Sequence, residues 1–318
     1  MLVKLLEPLN VSDETIETLA KEIKDLGHEF EYYNTKTTDK EELVERSKDA
    51  EVIMIANNPY PKEAIENNPN LKLINVAFTG VDHVELDDNS DILICNAAGY
   101  ANTAVAELVI GLVLDLYRQI TKGDEDTRKA EDFPGAFQGR EIKNKTVGII
   151  GTGKIGVETA ALFKAFGAKL IAANTSSVNN KAVELGVEYV SMDELLEQSD
   201  IVTLHVPATK DTKHMIGKEE LEKMKSDAIL INCARGPVVD NDALADALNN
   251  EVIAGAGLDV FDMEPPIPGD YKILSAKNTI LTPHVGFLTD EAMILRAETA
   301  FKNTVNFLNG NPTNLIKK

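Results

Sequence analysis

Three glycines in the middle of the chain have the spacing of a phosphate-binding turn, since Gly151, Gly153 and Gly156 form Gly-x-Gly-x-x-Gly. The apolar run Thr146–Ile150 precedes them, and the helical pattern Ile155–Phe166 follows. In that setting the first glycine permits a tight turn, the second lets the backbone approach a pyrophosphate, and the third lets the helix pack closely on the strand. Free N–H groups at the start of the helix suit phosphates. The pattern predicts a dinucleotide site, and a purely structural turn is the alternative.

Polar residues follow the next apolar run, Lys169–Ala173, where the chain continues with Asn174, Thr175 and two serines. An acidic residue at this distance from the glycine turn usually binds the adenosine ribose of NAD. Asn174 can hydrogen-bond a ribose without repelling a 2′-phosphate, and Thr175 could donate to such a phosphate, but no Arg follows to pair with it. We therefore predict both residues as cofactor contacts and leave NAD and NADP open. The alternative is that Asn174 only starts a turn.

Five further segments resemble the motifs of the D-isomer-specific 2-hydroxyacid dehydrogenases, in the order and with the spacing that this family has. They are Thr103–Glu107, Asp200–Pro207, Asp227–Asp240, Gly255–Pro265 and Thr282–Gly286. Together with the glycine turn, the resemblance extends from about residue 70 to about residue 290. It implies an NAD(P)-dependent oxidoreductase that transfers hydride between a nicotinamide cofactor and a small 2-keto or 2-hydroxy acid, working mainly as a 2-keto acid reductase.

The resemblance implies a role for four individual residues. His284 corresponds to the general acid/base that protonates the carbonyl oxygen during reduction, and imidazole suits this because it titrates near neutrality. Glu264 corresponds to the carboxylate that orients this histidine and raises its pKa. Arg235 corresponds to the cation that holds the carboxylate and carbonyl of the keto acid, for which a forked guanidinium is well shaped. Asp259 corresponds to the contact with the nicotinamide carboxamide.

His284, Arg235 and Glu264 also have simpler interpretations when each is taken alone. A single His after Pro is commonly a turn residue, an Arg before Gly a solvated loop charge, and a Glu before Pro the end of a strand. The ordered set favours catalysis, because each member follows an apolar strand and ligands of such sheets gather beyond the carboxyl ends of the strands. The other histidines, which are His28, His83, His205 and His214, have no accompanying pattern and are assigned no role.

The family motifs imply further cofactor contacts beside the glycines, Asn174, Thr175 and Asp259. They are Lys154, Ile155, Val206, Pro207, Thr212, Cys233, Ala234 and Gly286. No metal site is predicted.

The segment around Phe78, Thr79 and Gly80 resembles the family's substrate loop, whose backbone amides bind the substrate carboxylate. With Arg235, these three residues are the predicted substrate contacts. The residues just before Gly80 depart from the family pattern, which usually has an Arg and a further Gly there. Phe78 either narrows the substrate pocket or packs into the core of its domain. The sequence does not name the substrate.

A second class of function shares this fold, namely a dinucleotide-sensing binding protein similar to transcriptional corepressors. Such proteins can keep the residues that correspond to Arg235, Glu264 and His284, so these do not exclude it. Formate oxidation on the same scaffold is disfavoured, because Glu264 stands where that branch carries Gln.

The elements that must position these residues alternate apolar runs with amphipathic helices, which is typical of an α/β protein with parallel sheets. We predict two doubly wound parallel-sheet domains. By the resemblance, residues 101–286 form a Rossmann cofactor domain that is inserted into a flavodoxin-like substrate domain of residues 1–100 and 287–318. The strand candidates are Leu2–Leu6, Phe30–Tyr33, Val52–Ile55, Leu71–Ala77, Ile92–Cys95, Thr146–Ile150, Lys169–Ala173, Glu188–Val190, Ile201–Val206, Ala228–Asn232, Ile253–Gly255 and Thr279–Leu281.

Three helices are predicted with particular clarity, of which Asp13–Asp25 is capped by Ser12. Thr103–Ile120 is a long helix, and its apolar part Val105–Leu116, with the following loop, suits the homodimer that the family usually forms. Asp290–Leu308 is a further amphipathic helix, and Gly310 ends it. The polar stretch Gly123–Gly139 is predicted to be a loop, because it contains Pro134 and Gly135.

Composition limits the classes of partner that the protein can bind. The 318 residues include 32 Lys and Arg against 52 Asp and Glu, which gives a net charge of −20. Without a basic cluster, we expect no binding to nucleic acid or to an anionic membrane surface. The two cysteines, Cys95 and Cys233, lie in apolar runs and are expected to be buried, reduced thiols. With no secretory signal at the N-terminus, these observations predict a cytoplasmic protein.

Overall fold

The structure is a computed structural model that describes residues 1–87, 90–129, 138–173, 177–263 and 267–316. It divides into two compact units. The first unit comprises Met1–Ala101 and Leu288–Lys318, and the second comprises Asn102–Phe287. Each unit is built on a parallel sheet with helices between its strands. The predicted α/β class with two doubly wound parallel sheets is confirmed.

The first unit contains a five-stranded sheet in the order β2-β1-β3-β4-β5, which is the flavodoxin-like order. Elements are numbered in chain order. The strands are β1 Leu2–Leu5, β2 Glu29–Tyr32, β3 Val52–Ile55, β4 Leu73–Val76 and β5 Leu93–Asn96. The helices of this unit are α1 Asp13–Asp25, α2 Lys40–Ser47, α3 Lys62–Glu66 and, at the end of the chain, α11 Asp290–Leu308.

Local sequence explains where these elements begin and which face they bury. Ser12 caps α1 as predicted, because its side chain accepts the N–H of Thr15. Ile16, Ala20 and Ile23 lie on one face of that helix and are buried. All four residues of β3 are buried, as expected for a central strand covered on both faces.

The second unit contains a seven-stranded sheet in the order β12-β11-β10-β9-β6-β7-β8. The strand order reverses between β6 and β9, and ligands of doubly wound sheets bind at such a switch point. The strands are β6 Thr146–Ile150, β7 Lys169–Ala173, β8 Glu188–Tyr189, β9 Ile201–Leu204, β10 Ile229–Asn232, β11 Gly255–Leu258 and β12 Thr279–Leu281. The helices are α4 Asn102–Arg118, α5 Ile120–Lys129, α6 Lys154–Ala165, α7 Asn180–Glu184, α8 Met192–Gln198, α9 Lys218–Lys223 and α10 Asn241–Asn249, with 3-10 turns at Gly236–Val238 and Lys272–Ser275.

The predicted loop Gly123–Gly139 is wrong in its first half, where α5 runs as a helix to Lys129. The long helix predicted before it is divided, because Gln119 has a φ of +51° and ends α4. Within α5 the Nε of Arg128 donates to Asp124 at 2.8 Å, an i,i+4 pair of the kind that supports an exposed helix. The breakers Pro134 and Gly135 lie outside the described residues.

The strand predicted at Ile253–Gly255 is displaced, because β11 runs from Gly255 to Leu258. Its glycines indicate a loop in the sequence, but in the fold they allow close packing. A Cβ atom on Gly257 would lie 2.9 Å from Cδ1 of Ile231 and 3.0 Å from Cβ of Leu112. The side chains of Ile231 on the neighbouring strand and of Leu112 on α4 therefore occupy the space that a larger residue would need.

Both cysteines are buried and unpaired, as predicted. Burial raises the pKa of the Cys95 thiol to about 12. Among the helices of the described residues, none combines the length and apolar character that crossing a membrane requires.

Candidate active site

The second unit brings most of the predicted site residues to one edge of its sheet. Because its strands are parallel, the segments that follow their carboxyl ends share that edge. The glycine turn follows β6, Val206 and Pro207 follow β9, Cys233 to Arg235 follow β10, Asp259 follows β11, and His284 and Gly286 follow β12.

The glycine turn has the geometry that its spacing predicts. Gly151 has a φ of +94°, and a Cβ atom there would lie 2.6 Å from the carbonyl oxygen of His205. A Cβ atom on Gly156 would overlap the carbonyl oxygen of Gly151. At Gly153, in contrast, a Cβ atom would meet nothing within 4 Å. Two glycines thus serve the fold, and the third leaves open space beside the backbone.

Helix α6 begins at this open space. Gly153 is its N-cap and has no side chain to satisfy the first N–H groups of the helix. Lys154 and Ile155 are the first helical residues, and Val157 donates its N–H to the Gly153 carbonyl at 3.0 Å. A helix start without a side-chain cap is a ready anion site. The open space and the uncapped helix therefore fit the pyrophosphate of a dinucleotide.

The segment after β7 has the two predicted ribose contacts, Asn174 and Thr175, which lie outside the described residues. Beside it, a hydrogen-bonded group that sequence reasoning missed joins the glycine turn to β8. Thr152 Oγ1 and Tyr189 Oη are 2.7 Å apart, and Asn179 Nδ2 donates to the Thr152 carbonyl at 2.7 Å. Tyr189 Oη also accepts the N–H of Asn179 at 2.9 Å. This group fixes Asn179 to the glycine turn and to β8.

The segment after β9 places Val206 against the glycine turn, since its Cγ1 would lie 2.8 Å from a Cβ atom on Gly151. Pro207 is exposed. Thr212 is buried, and its hydroxyl donates to the Pro207 carbonyl at 2.6 Å while it accepts the N–H of Thr209 at 2.8 Å. The buried Thr212 hydroxyl therefore holds the loop of residues 207–212 together through two hydrogen bonds.

His205, to which the sequence assigned no role, packs behind the glycine turn. Its Nε2 lies 3.1 Å from Thr203 Oγ1. Burial lowers the pKa of His205 to about 4, so the ring is neutral near physiological pH.

Asn232 holds the loop that carries Arg235, and sequence reasoning missed it. Its Nδ2 donates to the Arg235 carbonyl at 3.0 Å, and its Oδ1 accepts the N–H of Ala234 at 3.0 Å. A Cβ atom on Gly236 would overlap the carbonyl of Phe261, so the chain after Arg235 lies tight against the segment that follows β11. Asparagine is typical of such turns. Its position at the end of β10 is the sequence feature from which this role could have been inferred.

Arg235 itself is half-buried, and its Nη1 donates to the Ala234 carbonyl at 2.7 Å. The remaining guanidinium donors form a fork suited to a carboxylate or carbonyl. Cys233 beside it is buried, and burial followed by the charge of Asp259 raises the pKa of its thiol. Cys233 therefore contributes an uncharged, buried side chain next to Arg235.

Asp259 organises the turn that carries His284. It is 1% exposed, and its Oδ1 accepts from Thr282 Oγ1 at 2.6 Å and from the N–H of Val285 at 2.9 Å. Its Oδ2 accepts the N–H of Gly286 at 2.8 Å, where a Cβ atom on Gly286 would lie only 2.9 Å away. One carboxylate thus binds three donors of the same turn, a task that the predicted carboxamide contact did not include.

His284 lies at the middle of that turn with a φ of +55°, a conformation that few residues other than glycine adopt. Its N–H donates to the Thr282 carbonyl at 3.1 Å, and its half-buried ring meets Phe287 edge-on at 5.6 Å between centroids. Glu264, its predicted carboxylate partner, lies outside the described residues.

The predicted substrate loop follows β4 in the first unit. The Phe78 carbonyl accepts the N–H of Ala97 at 3.0 Å, and the Thr79 carbonyl accepts from Asn96 Nδ2 at 2.6 Å. The half-buried Phe78 ring packs against Tyr100 and against the hydrophobic core of the unit. This placement favours the core-packing alternative for Phe78. Thr79 is exposed and Gly80 is half-buried.

Comparison with known proteins agrees with these motifs. Residues 110–286 match the family described as "D-isomer specific 2-hydroxyacid dehydrogenase, NAD binding domain". The chain is 39% identical over 287 residues to a glyoxylate reductase of Thermococcus litoralis, covering 87% of this chain and 86% of the relative. It is 33% identical over 311 residues to a hydroxypyruvate reductase of Blautia hydrogenotrophica, covering 94% of each chain.

A solved structure with the same fold is an acyclic imino acid reductase in complex with NADPH and D-Arg. It superposes with a TM-score of 0.87 at 31% identity, covering 99% of this chain and 100% of that one.

Proposed function

Because the chain belongs to the D-isomer-specific 2-hydroxyacid dehydrogenases, we propose that it reduces glyoxylate or hydroxypyruvate, with His284 as the proton donor and Arg235 as the substrate-binding cation. The family membership and the class of activity, an NAD(P)-dependent oxidoreductase of small 2-hydroxy and 2-keto acids, confirm the expectations from the motifs. The corepressor alternative gains no support from the comparisons. The observation that carries the proposal is the turn bound by Asp259, which presents His284 at the same sheet edge as the Arg235 loop.

The cofactor is NAD or NADP, as expected, and it supplies the hydride when it is bound. We propose that the N–H groups of Lys154 and Ile155, with the open face of Gly153, hold its pyrophosphate. Val206, Cys233 and Ala234 would line the cofactor site with apolar surface. Within the described residues the Asp259 carboxylate accepts three hydrogen bonds, which would leave one lone pair for the carboxamide. The choice between NAD and NADP would depend on Asn174 and Thr175.

Side chains and backbone groups of this chain would bind the substrate, stabilise its developing charge and transfer the proton. Arg235 would hold the carbonyl oxygen of the keto acid and stabilise the negative charge that develops there. His284 would deliver the proton to that oxygen, and Glu264 would stabilise the imidazolium form. The backbone N–H groups of Thr79 and Gly80 would receive the substrate carboxylate.

These roles assign a task to each part of the chain. We propose residues 1–100 and 287–318 as the substrate-binding domain and residues 101–286 as the dinucleotide-binding domain. Support comes from the positions of the substrate loop after β4 and of the glycine turn after β6.

We also propose a homodimer, for which α5 offers the support. Among its described residues none is buried, and Ile120 is 57% exposed. The apolar face of α4, expected to serve this purpose, packs inside its own unit, where Val109 and Val113 are fully buried. Sedimentation should give twice the chain mass, and Ile120→Lys should shift it towards the monomer. A monomeric wild-type protein would exclude this proposal.

Residence in the cytoplasm is proposed as well, and it is supported by the two unpaired thiols, which suit a reducing compartment. Cell fractionation tests it, and recovery of the protein outside the cytoplasmic fraction would contradict it.

The decisive experiment measures NADH and NADPH oxidation with glyoxylate, hydroxypyruvate and pyruvate, side by side. We expect the highest kcat/KM with one of the first two keto acids. Highest activity with pyruvate would refute the proposed substrate, and no oxidation with any pair would refute the reductase activity. In the same assay, Asn174→Asp should shift preference from NADPH towards NADH, and an unchanged preference would mean that Asn174 does not contact the ribose.

A further inference from the structure

The substrate loop of the first unit has two consecutive carbonyls fixed by one neighbour, the end of β5. The Phe78 carbonyl accepts the N–H of Ala97 at 3.0 Å, and the Thr79 carbonyl accepts from Asn96 Nδ2 at 2.6 Å. We propose that Asn96 is a positioning residue that aims the amides of this loop at the substrate carboxylate. The inference rests on the proposed function and extends it to a residue that contacts no substrate atom.

Peptide geometry converts the fixed carbonyls into fixed donors. In a planar trans peptide the C=O of one residue and the N–H of the next point in opposite directions. The bond to the Phe78 carbonyl therefore turns the N–H of Thr79 away from β5, and the bond to the Thr79 carbonyl does the same for Gly80. Two adjacent N–H groups then point the same way, which is the arrangement that receives a carboxylate.

These two donors are available to a ligand. Among the described residues, no group accepts a hydrogen bond from the N–H of Thr79 or of Gly80. Thr79 is exposed and Gly80 half-buried, so an anion can reach them. A 2-keto acid carries its carboxylate next to the reacting carbonyl, and two amide donors match the two oxygens of that carboxylate.

Asn96 is itself held on several sides. It is 6% exposed, and its Oδ1 accepts the N–H of Ala98 at 3.3 Å. Its backbone carbonyl accepts from Asn303 Nδ2 of α11 at 2.9 Å, and its backbone N–H donates to the Asn314 carbonyl at 3.1 Å.

The support continues into the C-terminal segment. Asn303 Oδ1 accepts from Asn314 Nδ2 at 2.8 Å and from Thr313 Oγ1 at 3.2 Å. Helix α11 and the C-terminal segment thus fix the side chain that fixes the loop. A side chain bound this completely can hold the Thr79 peptide in one orientation, which a solvated asparagine would not do.

The test compares Asn96→Ala with Asn67→Ala. Asn67 is a matched control because its exposed Nδ2 also donates to one backbone carbonyl, that of Glu63, at 2.8 Å, away from the substrate loop. We measure KM and kcat for glyoxylate and hydroxypyruvate and the Kd for NADH. Asn96→Ala should raise KM by about 10- to 100-fold, with kcat within about three-fold of wild type. Without Asn96 the Gly80 N–H is no longer aimed at the substrate carboxylate, so a charge-assisted hydrogen bond to the substrate is lost. That bond is made in both the ground state and the transition state, so its loss weakens binding. The Kd for NADH should not change.

Two further variants keep the inference falsifiable. Asn96→Ser is a milder change should the alanine variant fold poorly, and it should also raise KM. Asn96→Asp retains the acceptor for Ala98 but replaces the donor to Thr79, so it should raise KM as well. A KM raised only by Asn96→Asp would show an effect of charge and overturn the inference.

The inference and the proposed function fail in different ways. A wild-type enzyme that turns over neither keto acid would refute the proposed function, and the inference with it. A wild-type enzyme that turns over, beside an Asn96→Ala variant with unchanged KM, would refute the inference alone. Equal losses of kcat and NADH binding in Asn96→Ala would indicate a purely structural role and also refute it.

Discussion

At the scale of single residues, the conformation of His284 is unusual for a side chain. A φ of +55° places it in the left-handed region, which disfavours residues with a Cβ atom. The surrounding turn maintains this conformation through three hydrogen bonds to Asp259. Backbone strain that the surroundings maintain is common where a side chain must point in one direction, and proton transfer requires such a direction.

We expect His284→Asn to lower kcat by about 10²- to 10⁴-fold, the range typical of a lost general acid. Asparagine tolerates the left-handed conformation, so the turn should persist and the Kd for NADH should stay the same. His214→Asn is the matched control, because His214 also has a positive φ, of +50°, and no proposed role. Steady-state kinetics and fluorescence titration give both quantities. A His284→Asn variant with near-normal kcat would remove the histidine from the mechanism.

Asp259→Asn should lower both stability and kcat. Asparagine offers one oxygen where the carboxylate offers two, so at least one buried donor of the turn loses its acceptor, at a cost of about 1–3 kcal/mol. A displaced turn would also misplace His284. Thermal unfolding and kcat are measured for Asp259→Asn and for a control variant, Asp246→Asn. The Asp246 carboxylate is exposed, and its Oδ2 lies 3.9 Å from Lys272 Nζ. An Asp259→Asn variant with wild-type kcat would mean that the turn does not depend on this carboxylate.

Motifs indicated Arg235, His284 and the glycines as candidate site residues, because the resemblance to the family rests on the segments that contain them. Positioning residues could not be identified in the same way. Asn96 and Asn303 are 207 positions apart in the chain and meet only in the folded unit. For Asp259, the sequence indicated a cofactor contact, but its three bonds to one turn appear only with the coordinates.

At the scale of elements, the three glycines between β6 and α6 look alike in the sequence, but the fold requires only some of them. Gly151 and Gly156 are required by the fold, since side chains there would meet His205 and Gly151. Gly153 is not required in this sense, because the position of its Cβ atom is open. The open space at Gly153 lies at the uncapped start of α6, and the two features together support the proposal that a phosphate approaches there.

This difference predicts opposite results for two alanine variants. Gly153→Ala should leave the thermal midpoint within about one degree of wild type but raise the Kd for NADH about ten-fold or more, because the methyl group would obstruct the phosphate. Gly156→Ala should lower the thermal midpoint, since its Cβ atom overlaps a carbonyl oxygen. Calorimetry and NADH titration test both variants. If Gly153→Ala binds NADH normally, the pyrophosphate does not approach this residue.

Periodicity located most strands and helices, because buried parallel strands form continuous apolar runs. It failed where packing or local pairing decided the structure. Strand β11 contains two glycines, a residue type that is depleted in strands. In the fold, Leu112 and Ile231 fill the space beside Gly257, and Leu116 and Asn278 lie against Gly255. Helix α5 has a polar sequence without a buried face, so no apolar period marked it.

At the scale of the whole molecule, charge opposes the activity. The net charge of −20 repels both the dinucleotide and the keto acid, which are anions. On the proposed assignment of the site, attraction comes from local groups, namely Arg235, the start of α6 and the amides of Thr79 and Gly80. The acidic composition therefore describes the surface and excludes partners, and the site depends on a few positive positions.

Screening of this surface charge should accelerate binding. We expect the association rate constant of NADH to rise roughly two- to five-fold between low salt and 0.2 M KCl, since the Debye length falls below about 10 Å. Stopped-flow fluorescence measures the rate, and sucrose at equal osmolality controls for effects unrelated to charge. A rate that falls with salt would show that the local positive groups dominate the approach.

The C-terminal segment that supports Asn303 also lies along β5, which is an edge strand of its sheet. Leu315 bridges to Cys95 in antiparallel fashion, and Ile316 donates its N–H to the Ile94 carbonyl at 2.9 Å. An open edge strand is a template on which other chains can add strands and aggregate. Removing residues 313–316 should therefore expose this edge and promote aggregation, and an affinity tag fused directly after them would lie beside the segment that covers the edge.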